Sequence, residues 1–390
     1  MSEYIVIAVV VAAFIAAGVL SYLFTPPVKR FAQKIGAIDV PKDNRRMHKE
    51  PIPRLGGLAI FGGFLCSILV FGQLDQTMLC VLLGASIIVA LGIFDDVLAL
   101  GAKLKFVVQI VAAAIPVCVG DLQISLFTNL NPFSDAPYFH LGIFAIPVTI
   151  IWIVGITNAV NLIDGLDGLA VGVSSIAAIT MLAVALLTGN MAIAITMAAL
   201  AGACIGFMPY NLNPAKIFMG DTGSTFLGFI LATVSIEGLF KSYAIISFAV
   251  PFLMLGLPIF DTCFAILRRV SHGQSPMAPD RGHIHHRLID MGFNQKQAVA
   301  VLYVISAILG LSAVVLTTTN VVRAMVVLMA LCVAGGMAAK LYLDRMNHRD
   351  QDGAQPPQGR GGAKPRKLHN PPSDVAGSDY FFGEEERSDK

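Results

Sequence analysis

Apolar segments of membrane-spanning length recur along most of this chain, and its charged residues lie between them. Hydrophobic residues make up 56% of the 390 positions and charged residues only 13%, whereas an ordinary soluble domain is about 25% charged. A helix that crosses a bilayer needs about 20 mostly apolar residues and satisfies its own backbone polar groups. The pattern therefore predicts an all-α polytopic membrane protein with about eleven transmembrane helices. The eleven segments cover residues 4–24, 53–71, 77–94, 105–120, 141–158, 168–188, 190–208, 224–240, 242–266, 298–317 and 320–343.

Lysine and arginine are distributed unevenly between the connecting loops. The connections after the odd-numbered segments contain nearly all of them, and Lys241 and Arg323 are the exceptions. Because basic loops remain in the cytoplasm, this asymmetry predicts a multi-pass plasma-membrane protein with its N-terminus outside and its C-terminus cytoplasmic. The first segment lacks a basic leader and is expected to be a retained span. The acid- and histidine-rich connections all fall on the cytoplasmic side, which favours a polar site at that face.

The composition changes near the C-terminus. From about Met346 onward Pro, Gly, Gln and charged residues dominate, and such a segment has too little apolar surface to offset the entropy of ordering. We therefore expect a transmembrane domain over residues 1–345 and a disordered cytoplasmic tail over residues 346–390. The six cysteines lie in or near apolar segments without a CxxC pair, which favours packing between helices over a disulfide framework.

Two adjacent carboxylates, Asp95 and Asp96, end the third apolar segment, and Lys103 and Lys105 follow closely. Neighbouring carboxylates repel each other unless a divalent cation, a lysine or a shared proton relieves the repulsion. Charges that snorkel from a helix end are the structural alternative. Ionisable residues at membrane depth are more often functional.

A second acid-rich segment, residues 158–168, places a polar residue at every third position. Asn158, Asn161, Asp164 and Asp167 recur at that spacing, which in a helix would put neighbours on roughly one face. A capped polar turn between two spans is the alternative. An EF-hand is excluded because the downstream glutamate and the other ligands are missing.

Asp221 lies in the segment 218–224, immediately before the eighth apolar segment. It could cap the helix that follows. Alternatively its carboxylate could bind Mg²⁺ beside a helix N-terminus that favours phosphate. Arg54, which precedes two glycines at the start of the second segment, belongs to a basic loop that could also bind anionic lipid.

A dense cationic cluster lies in the largest internal cytoplasmic loop. Three histidines and two arginines fall within seven residues: Arg281, His283, His285, His286 and Arg287. Their spacing matches no common zinc pattern, and the cluster could clamp phosphate groups or serve only as a basic cytoplasmic loop. Aspartates suited to Mg²⁺ together with cations suited to phosphate are what phosphoryl transfer requires. The sequence thus indicates an enzyme that acts on a phosphorylated nucleotide and a lipid at the membrane surface.

These motifs resemble those of the polyprenyl-phosphate N-acetylhexosamine-1-phosphate transferases, which are of glycosyltransferase family 4 type. The resemblance covers about residues 1–343 and rests on five motifs in family order, at residues 51–57, 94–96, 158–168, 218–224 and 282–288. It implies that a phosphate oxygen of undecaprenyl phosphate attacks the β-phosphorus of a UDP-sugar, with UMP as the leaving group. It also implies a Mg²⁺ cofactor, with Mn²⁺ as an alternative.

The resemblance also implies the roles of individual residues. Catalytic roles fall to Asp95, Asp96, Asp164, Asp167 and His283. Substrate binding falls to Arg54, Lys103, Lys105, Asn158, Asn161, Arg281, His285, His286 and Arg287. Metal binding falls to Asp221 and Asp164. Within these sets Asp95 is the expected base on the lipid phosphate, and Asp96 helps to hold metal or diphosphate.

The histidine motif resembles that of the branch that uses UDP-N-acetylglucosamine to begin teichoic acid, O-antigen or related glycans. The runner-up is the peptidoglycan branch, whose donor is UDP-N-acetylmuramoyl-pentapeptide, and an ion-coupled transporter is the alternative from another class. The implied partners are UDP-N-acetylglucosamine, undecaprenyl phosphate and the lipid bilayer, with no nucleic acid. A homodimer is left open.

Overall fold

The computed structural model describes residues 3–40, 50–128, 138–240, 249–275, 282–318 and Met329. Within these ranges the fold consists of twelve α-helices and two short antiparallel β-hairpins. The helices are α1 Glu3–Lys34, α2 Gly57–Phe71, α3 Gln76–Leu98, α4 Ala102–Cys118, α5 Ala145–Leu162, α6 Leu169–Leu187, α7 Met191–Asn211, α8 Gly220–Ser235, α9 Ala249–Met254, α10 Gly256–Ser271, α11 Ile284–Asp290 and α12 Gln295–Thr318. The strands are β1 Ile38–Asp39, β2 Ile52–Pro53, β3 Leu126–Thr128 and β4 Tyr138–His140, paired β1 with β2 and β3 with β4.

The helical architecture confirms the prediction of an all-α, multi-pass membrane protein. In the described part of the chain six helices are long and apolar enough to cross a bilayer, and α2 is a shorter apolar helix. The ninth predicted segment, 242–266, is not one helix: its described part forms α9 and then α10, which begins at Gly256. The predicted span 320–343 and the predicted tail lie outside the described residues, apart from Met329.

Helix α8 lies at the centre of the helical bundle. Every residue from Thr222 to Ser235 is buried, and α8 packs against α2, α3, α5 and α6. A helix that is enclosed on all sides needs no polar face along its length. Its first turn, however, meets the C-terminal ends of neighbouring helices, and there the polar residues gather.

Helix α10 has an unusual distribution of side chains. Its exposed face carries large apolar residues, among them Phe260, Phe264 and Leu267, whereas its buried face includes Asp261 and Arg269. In a membrane protein apolar residues face lipid and ionisable residues face the protein interior. The arrangement therefore directs a carboxylate and a guanidinium toward the bundle.

Candidate active site

Five charged residues from four parts of the chain meet at the first turn of α8, and we call them the aspartate cluster. Asp95 and Asp96 lie in the last turn of α3, Asp221 in the first turn of α8 and Lys105 in the first turn of α4. Arg54 follows β2, and its backbone forms an isolated parallel β-bridge with Phe218, just before α8. The cluster contains three carboxylates and two permanent cations.

Asp96 caps α8 from another helix. Its Oδ2 accepts hydrogen bonds from the Thr222 backbone N–H at 3.1 Å and from the Thr222 hydroxyl at 2.7 Å, and its Oδ1 accepts from the Asp221 backbone N–H at 3.0 Å. Arg54 Nε also donates to Oδ1, at 3.1 Å. Gly220 makes this approach feasible, because its φ is +71° and a Cβ there would overlap the Asp96 carboxylate. Both oxygens of Asp96 therefore accept hydrogen bonds from protein groups, and these bonds hold the first turn of α8 in place.

Asp221 does not cap its own helix. The structure shows no side-chain cap at the start of α8, and the Asp221 carboxylate instead faces Lys105 and Arg54. Lys105 Nζ lies 2.9 Å from Asp221 Oδ2 and 2.8 Å from Asp95 Oδ2, so one ammonium bridges two carboxylates. Arg54 Nη2 lies 3.9 Å from Asp221 Oδ1. The capping alternative for Asp221 is thus wrong, and its side chain is directed into a polar cavity.

Asp164 lies in the turn between α5 and α6 and lines the same cavity as Asp221. Burial, together with the negative charges of Asp221 and Asp96, raises the pKa of the Asp164 carboxyl to about 8. Such a group is held near other acids without enough positive charge to stabilise its ionised form. The cavity has a volume of about 340 Å³, and Asp39, Asp167 and His286 also line it.

The carboxylates of this cavity suit a hard cation. Among the described residues no three His, Cys, Asp or Glu side chains form a ready metal-binding group. Mg²⁺, however, is usually held by only one or two carboxylates together with substrate phosphates and water. Asp221 and Asp164 could supply those carboxylates, and the excess of negative charge in the cavity fits such an ion.

The three-residue spacing of the segment 158–168 does not produce one helical face. Helix α5 ends at Leu162, so only Asn158 and Asn161 are helical and the two aspartates lie in the turn that follows. Asn158 Nδ2 donates to Gln109 Oε1 at 2.7 Å. Asn161 reaches α8 instead, because its Nδ2 donates to Ser224 Oγ at 2.8 Å.

Asp167 is bound to the loop that leads to α8. Its Oδ2 accepts hydrogen bonds from Asn213 Nδ2 at 2.9 Å and from the Ala215 backbone N–H at 3.0 Å. Asn213 Nδ2 also donates to Gln295 Oε1 at 2.8 Å. Asp167 therefore fixes the position of one wall of the polar cavity.

Three histidines form a second group, and together with Asp261 we call them the histidine cluster. His283 and His285 are buried and lie parallel, with ring centroids 5.8 Å apart, and His285 and His286 are 4.3 Å apart. Burial, with the neighbouring His286, lowers the pKa of His285 to about 4, so that this ring is neutral near pH 7.

Asp261 is a buried partner that the sequence interpretation missed. Its Oδ2 lies 2.9 Å from His283 Nδ1. The available signal was a single acid within an apolar segment, which in a membrane protein points to function. The histidine motif is dense in the sequence, whereas Asp261 is the one acidic residue of α10.

The remaining predicted residues lie away from these contacts or outside the described ranges. Lys103 is exposed in the first turn of α4, and Arg287 is exposed on α11. The structure does not bring either residue into the aspartate cluster as it does Lys105. Arg281 lies outside the described residues.

Gly165 lines the polar cavity and lies against the histidine cluster. A Cβ at this position would overlap the His285 ring, so the turn between α5 and α6 can approach the histidines only with glycine there. A second cavity, of about 870 Å³ and mostly apolar, is lined by residues of α4, α5 and α10, and Lys105 and the three histidines are among its lining residues. The polar and apolar cavities share three lining residues: Asn161, Gly165 and His286.

Comparison with known proteins identifies relatives that are similar over most of this chain. The family model described as Glycosyl transferase family 4 matches residues 78–239. A Bacillus subtilis protein named "Probable undecaprenyl-phosphate N-acetylglucosaminyl 1-phosphate transferase" is 46% identical over 313 residues, which is 80% of this chain and 86% of that protein. The chain belongs to glycosyl transferase family 4.

More distant members of this family are similar over comparable lengths. A Mycobacterium tuberculosis protein named "Decaprenyl-phosphate N-acetylglucosaminephosphotransferase" is 32% identical over 85% of this chain and 88% of its own length. A Yersinia pestis protein named "Undecaprenyl-phosphate alpha-N-acetylglucosaminyl 1-phosphate transferase" is 29% identical over 76% of this chain and 80% of its own. The resemblance drawn from the motifs is therefore confirmed. The glycosyl transferase family 4 match spans most of the aspartate cluster but neither Arg54 nor the histidine cluster.

Proposed function

We propose that this protein transfers N-acetylglucosamine 1-phosphate from UDP-N-acetylglucosamine to undecaprenyl phosphate. The products are UMP and undecaprenyl-diphospho-N-acetylglucosamine, which would begin the synthesis of a cell-surface glycan such as teichoic acid. The names of the relatives support this donor and acceptor. The observation that carries the proposal is that an acid-lined polar cavity adjoins a larger, mostly apolar one, with Asn161, Gly165 and His286 lining both.

The polar cavity suits the nucleotide sugar. Its carboxylates, Asp164 and Asp221, could hold Mg²⁺, which when bound would neutralise the diphosphate and stabilise the charge that develops on the leaving UMP. Arg54 lines the same cavity and can approach a phosphate with its planar guanidinium. Asp96 contributes by fixing the first turn of α8, so that Asp221 remains in position.

The apolar cavity suits the lipid acceptor. Side chains such as Phe106, Ile110, Ile151 and Ile266 line it, together with Lys105. An isoprenoid chain would lie along the apolar wall while the Lys105 ammonium binds the phosphate head. Asp95 lies 2.8 Å from that ammonium and could accept a proton from the acceptor phosphate. A phosphate oxygen of the acceptor then forms a bond to the β-phosphorus, and the bond from that phosphorus to the UMP oxygen breaks.

The proposal also includes the side of the membrane that the site faces and the number of spans. We place the site at the cytoplasmic face of the plasma membrane, in a protein of about eleven spans, because the basic loops lie on the side of the motifs. The carboxylates lie at helix ends, at the end of α3 and the start of α8. An ion-coupled transporter would be expected to carry them on broken helices near the middle of the bilayer.

The decisive experiment is an assay of purified protein with undecaprenyl phosphate and UDP-N-acetylglucosamine, with Mg²⁺ or with chelator, that resolves UMP from UDP. We expect metal-dependent release of UMP and a lipid-linked sugar. Release of UDP would mean a glycosyl transfer and would overturn the mechanism. Turnover of only the muramoyl-pentapeptide donor would move the protein to the peptidoglycan branch, and silence with both donors would favour the transporter.

A further inference from the structure

Asp261 is a buried carboxylate that has no role in the proposed reaction as described above. It is only 3% exposed and lies on α10, in the second turn of a helix whose opposite face carries large exposed apolar residues. An ionised carboxylate in such a position is costly unless it is paired and hydrogen-bonded. Its partners should therefore reveal why it is there.

Both oxygens of Asp261 bind the start of α11. Oδ2 lies 2.9 Å from His283 Nδ1, and Oδ1 accepts the Ile284 backbone N–H at 2.8 Å. Because a carboxylate accepts hydrogen bonds, this contact places a proton on Nδ1 of His283. The other ring nitrogen, Nε2, is then the one left for a ligand, and the ring cannot turn over without losing the bond.

Helix α10 holds His283 from a second side. Arg268 Nη1 donates to the carbonyl oxygen of Gly282 at 2.9 Å. The residue before His283 and the residue after it are thus both fixed by α10. Since His283 and Lys105 both line the apolar cavity, this anchoring sets where an imidazole stands relative to the proposed acceptor site.

We propose that Asp261 is a positioning residue for His283. It holds the imidazole in one orientation with the proton on Nδ1, so that Nε2 is the ring nitrogen presented to the phosphate groups of the substrates. This inference rests on the proposed function for the identity of the ligand. The pairing itself rests only on the geometry of α10 and α11.

The charges around His283 show why a carboxylate is needed there. The groups that share its surroundings are the neutral His285, the ring of His286, Arg269 on α10 and Lys105 on α4. The cations among these groups can only donate hydrogen bonds, whereas the Asp261 carboxylate, 2.9 Å from His283 Nδ1, accepts one. Removal of the Asp261 carboxylate should therefore release the orientation of the His283 ring.

The test is Asp261→Asn, alone and combined with His283→Gln. The amide keeps the shape and one acceptor but loses the charge. We expect kcat to fall by about 10- to 100-fold, as for loss of other groups that orient a functional histidine, with little change in the KM for the nucleotide sugar. In the His283→Gln background, Asp261→Asn should cause no further loss, because the two residues act as one unit.

Asp75→Asn is the matched control. Asp75 caps α3 by accepting the Met78 backbone N–H at 2.8 Å, at the end of the helix opposite Asp95. The same chemical change there should affect stability only. A loss of kcat that is equal in the wild-type and His283→Gln backgrounds would overturn the positioning role.

A spectroscopic measurement separates this inference from the proposed function. In protein labelled with ¹⁵N-histidine, the signal that disappears in His283→Gln belongs to His283, and its nitrogen shifts report which ring nitrogen carries the proton. We expect Nδ1–H in the wild type and a mixed or reversed tautomer in Asp261→Asn. If the spectra of the two proteins differ in this way but the wild type releases no UMP, the proposed function fails and the pairing stands. Identical spectra of the two proteins would reject the pairing whatever the activity.

Discussion

The aspartate cluster and the histidine cluster solve the same problem, the burial of charge at a membrane site, in opposite ways. In the aspartate cluster three carboxylates share two cations, Arg54 and Lys105, and negative charge is in excess. In the histidine cluster one buried carboxylate, Asp261, is bonded to His283, one of three neighbouring imidazoles. The first arrangement suits a cation that arrives with the substrate, whereas the second fixes the orientation of an imidazole.

The two clusters also differ in how they are built. The aspartate cluster joins the ends of α3, α4 and α8, whose positions are fixed by packing along whole helices. The histidine cluster is attached through a few contacts between α10 and the start of α11. Substitutions in the two clusters should therefore differ in their balance between lost stability and lost activity.

The largest effect is expected for Asp221→Asn. The Asp221 carboxylate faces Lys105 and does not cap α8, so the amide should leave the helix intact while it removes a proposed ligand of Mg²⁺. We expect kcat to fall by at least about 10²-fold, the range seen when a group that stabilises transition-state charge is lost. Activity of the purified variant within a few-fold of wild type would show that the aspartate cluster does not bind the metal through Asp221. Its thermal unfolding in detergent should remain close to that of the wild type.

Lys105→Met should have the next largest effect, because it removes the ammonium that bridges Asp95 and Asp221. We expect about a 10²-fold loss of turnover, with a raised KM for the lipid acceptor. Lys103→Met, two positions earlier on an exposed part of α4, should cause a clearly smaller loss. Equal losses in the two variants would mean that general positive charge, rather than the bridging contact, matters.

Asp96→Asn should separate structural from catalytic roles within the aspartate cluster. An amide would place donors against the Thr222 groups or the Arg54 guanidinium, and we expect the free energy of unfolding to fall by about 2–4 kcal/mol. Asp95→Asn should destabilise less, since within the described part of the chain the Asp95 side chain accepts one backbone N–H, that of Leu100, besides its contact with Lys105. Thermal midpoints of the two variants in the same detergent test this order, and a reversed order would contradict it.

A smaller effect, on pH dependence, is expected in the histidine cluster. The pKa of His285 is lowered to about 4 in the folded protein from an ordinary value near 6.5. The unfolded chain therefore binds a proton between pH 6.5 and 4 that the folded protein does not, and stability should fall as the pH falls through that window. The slope contributed by one group is at most about 1.4 kcal/mol per pH unit. Unfolding midpoints measured across this range should depend less on pH in His285→Gln than in the wild type.

The smallest effect is expected when the chain is shortened after Met346. The removed segment matches none of the five motifs. We expect kcat and KM of the purified truncated protein to remain within about twofold of the full chain. A large loss of turnover would show that the removed segment contributes to activity in addition to the two clusters.

Most of the aspartate cluster could be predicted from the sequence, because each acid lies in a short polar motif beside a long apolar segment. The motifs did not reveal which acid does what. Asp96, expected near metal or diphosphate, proves to cap α8, and Asp221, which could have been that cap, is left to face the cavity. The regular spacing of residues 158–168 suggested one helical face, but α5 ends at Leu162 and divides the set.

The membrane-spanning class, the family and the residue types of the site could be predicted from the sequence, since apolar runs and dense polar motifs are local properties of the chain. The pairings between these residues depend on the fold. Asp261 lies 22 positions before His283, and Asp96 lies 125 positions before Asp221. Such contacts depend on which helix ends meet when the apolar surfaces pack, and short-range spacing carries no information about that. A solitary aspartate on an apolar helix therefore became meaningful only when the fold placed a histidine beside it.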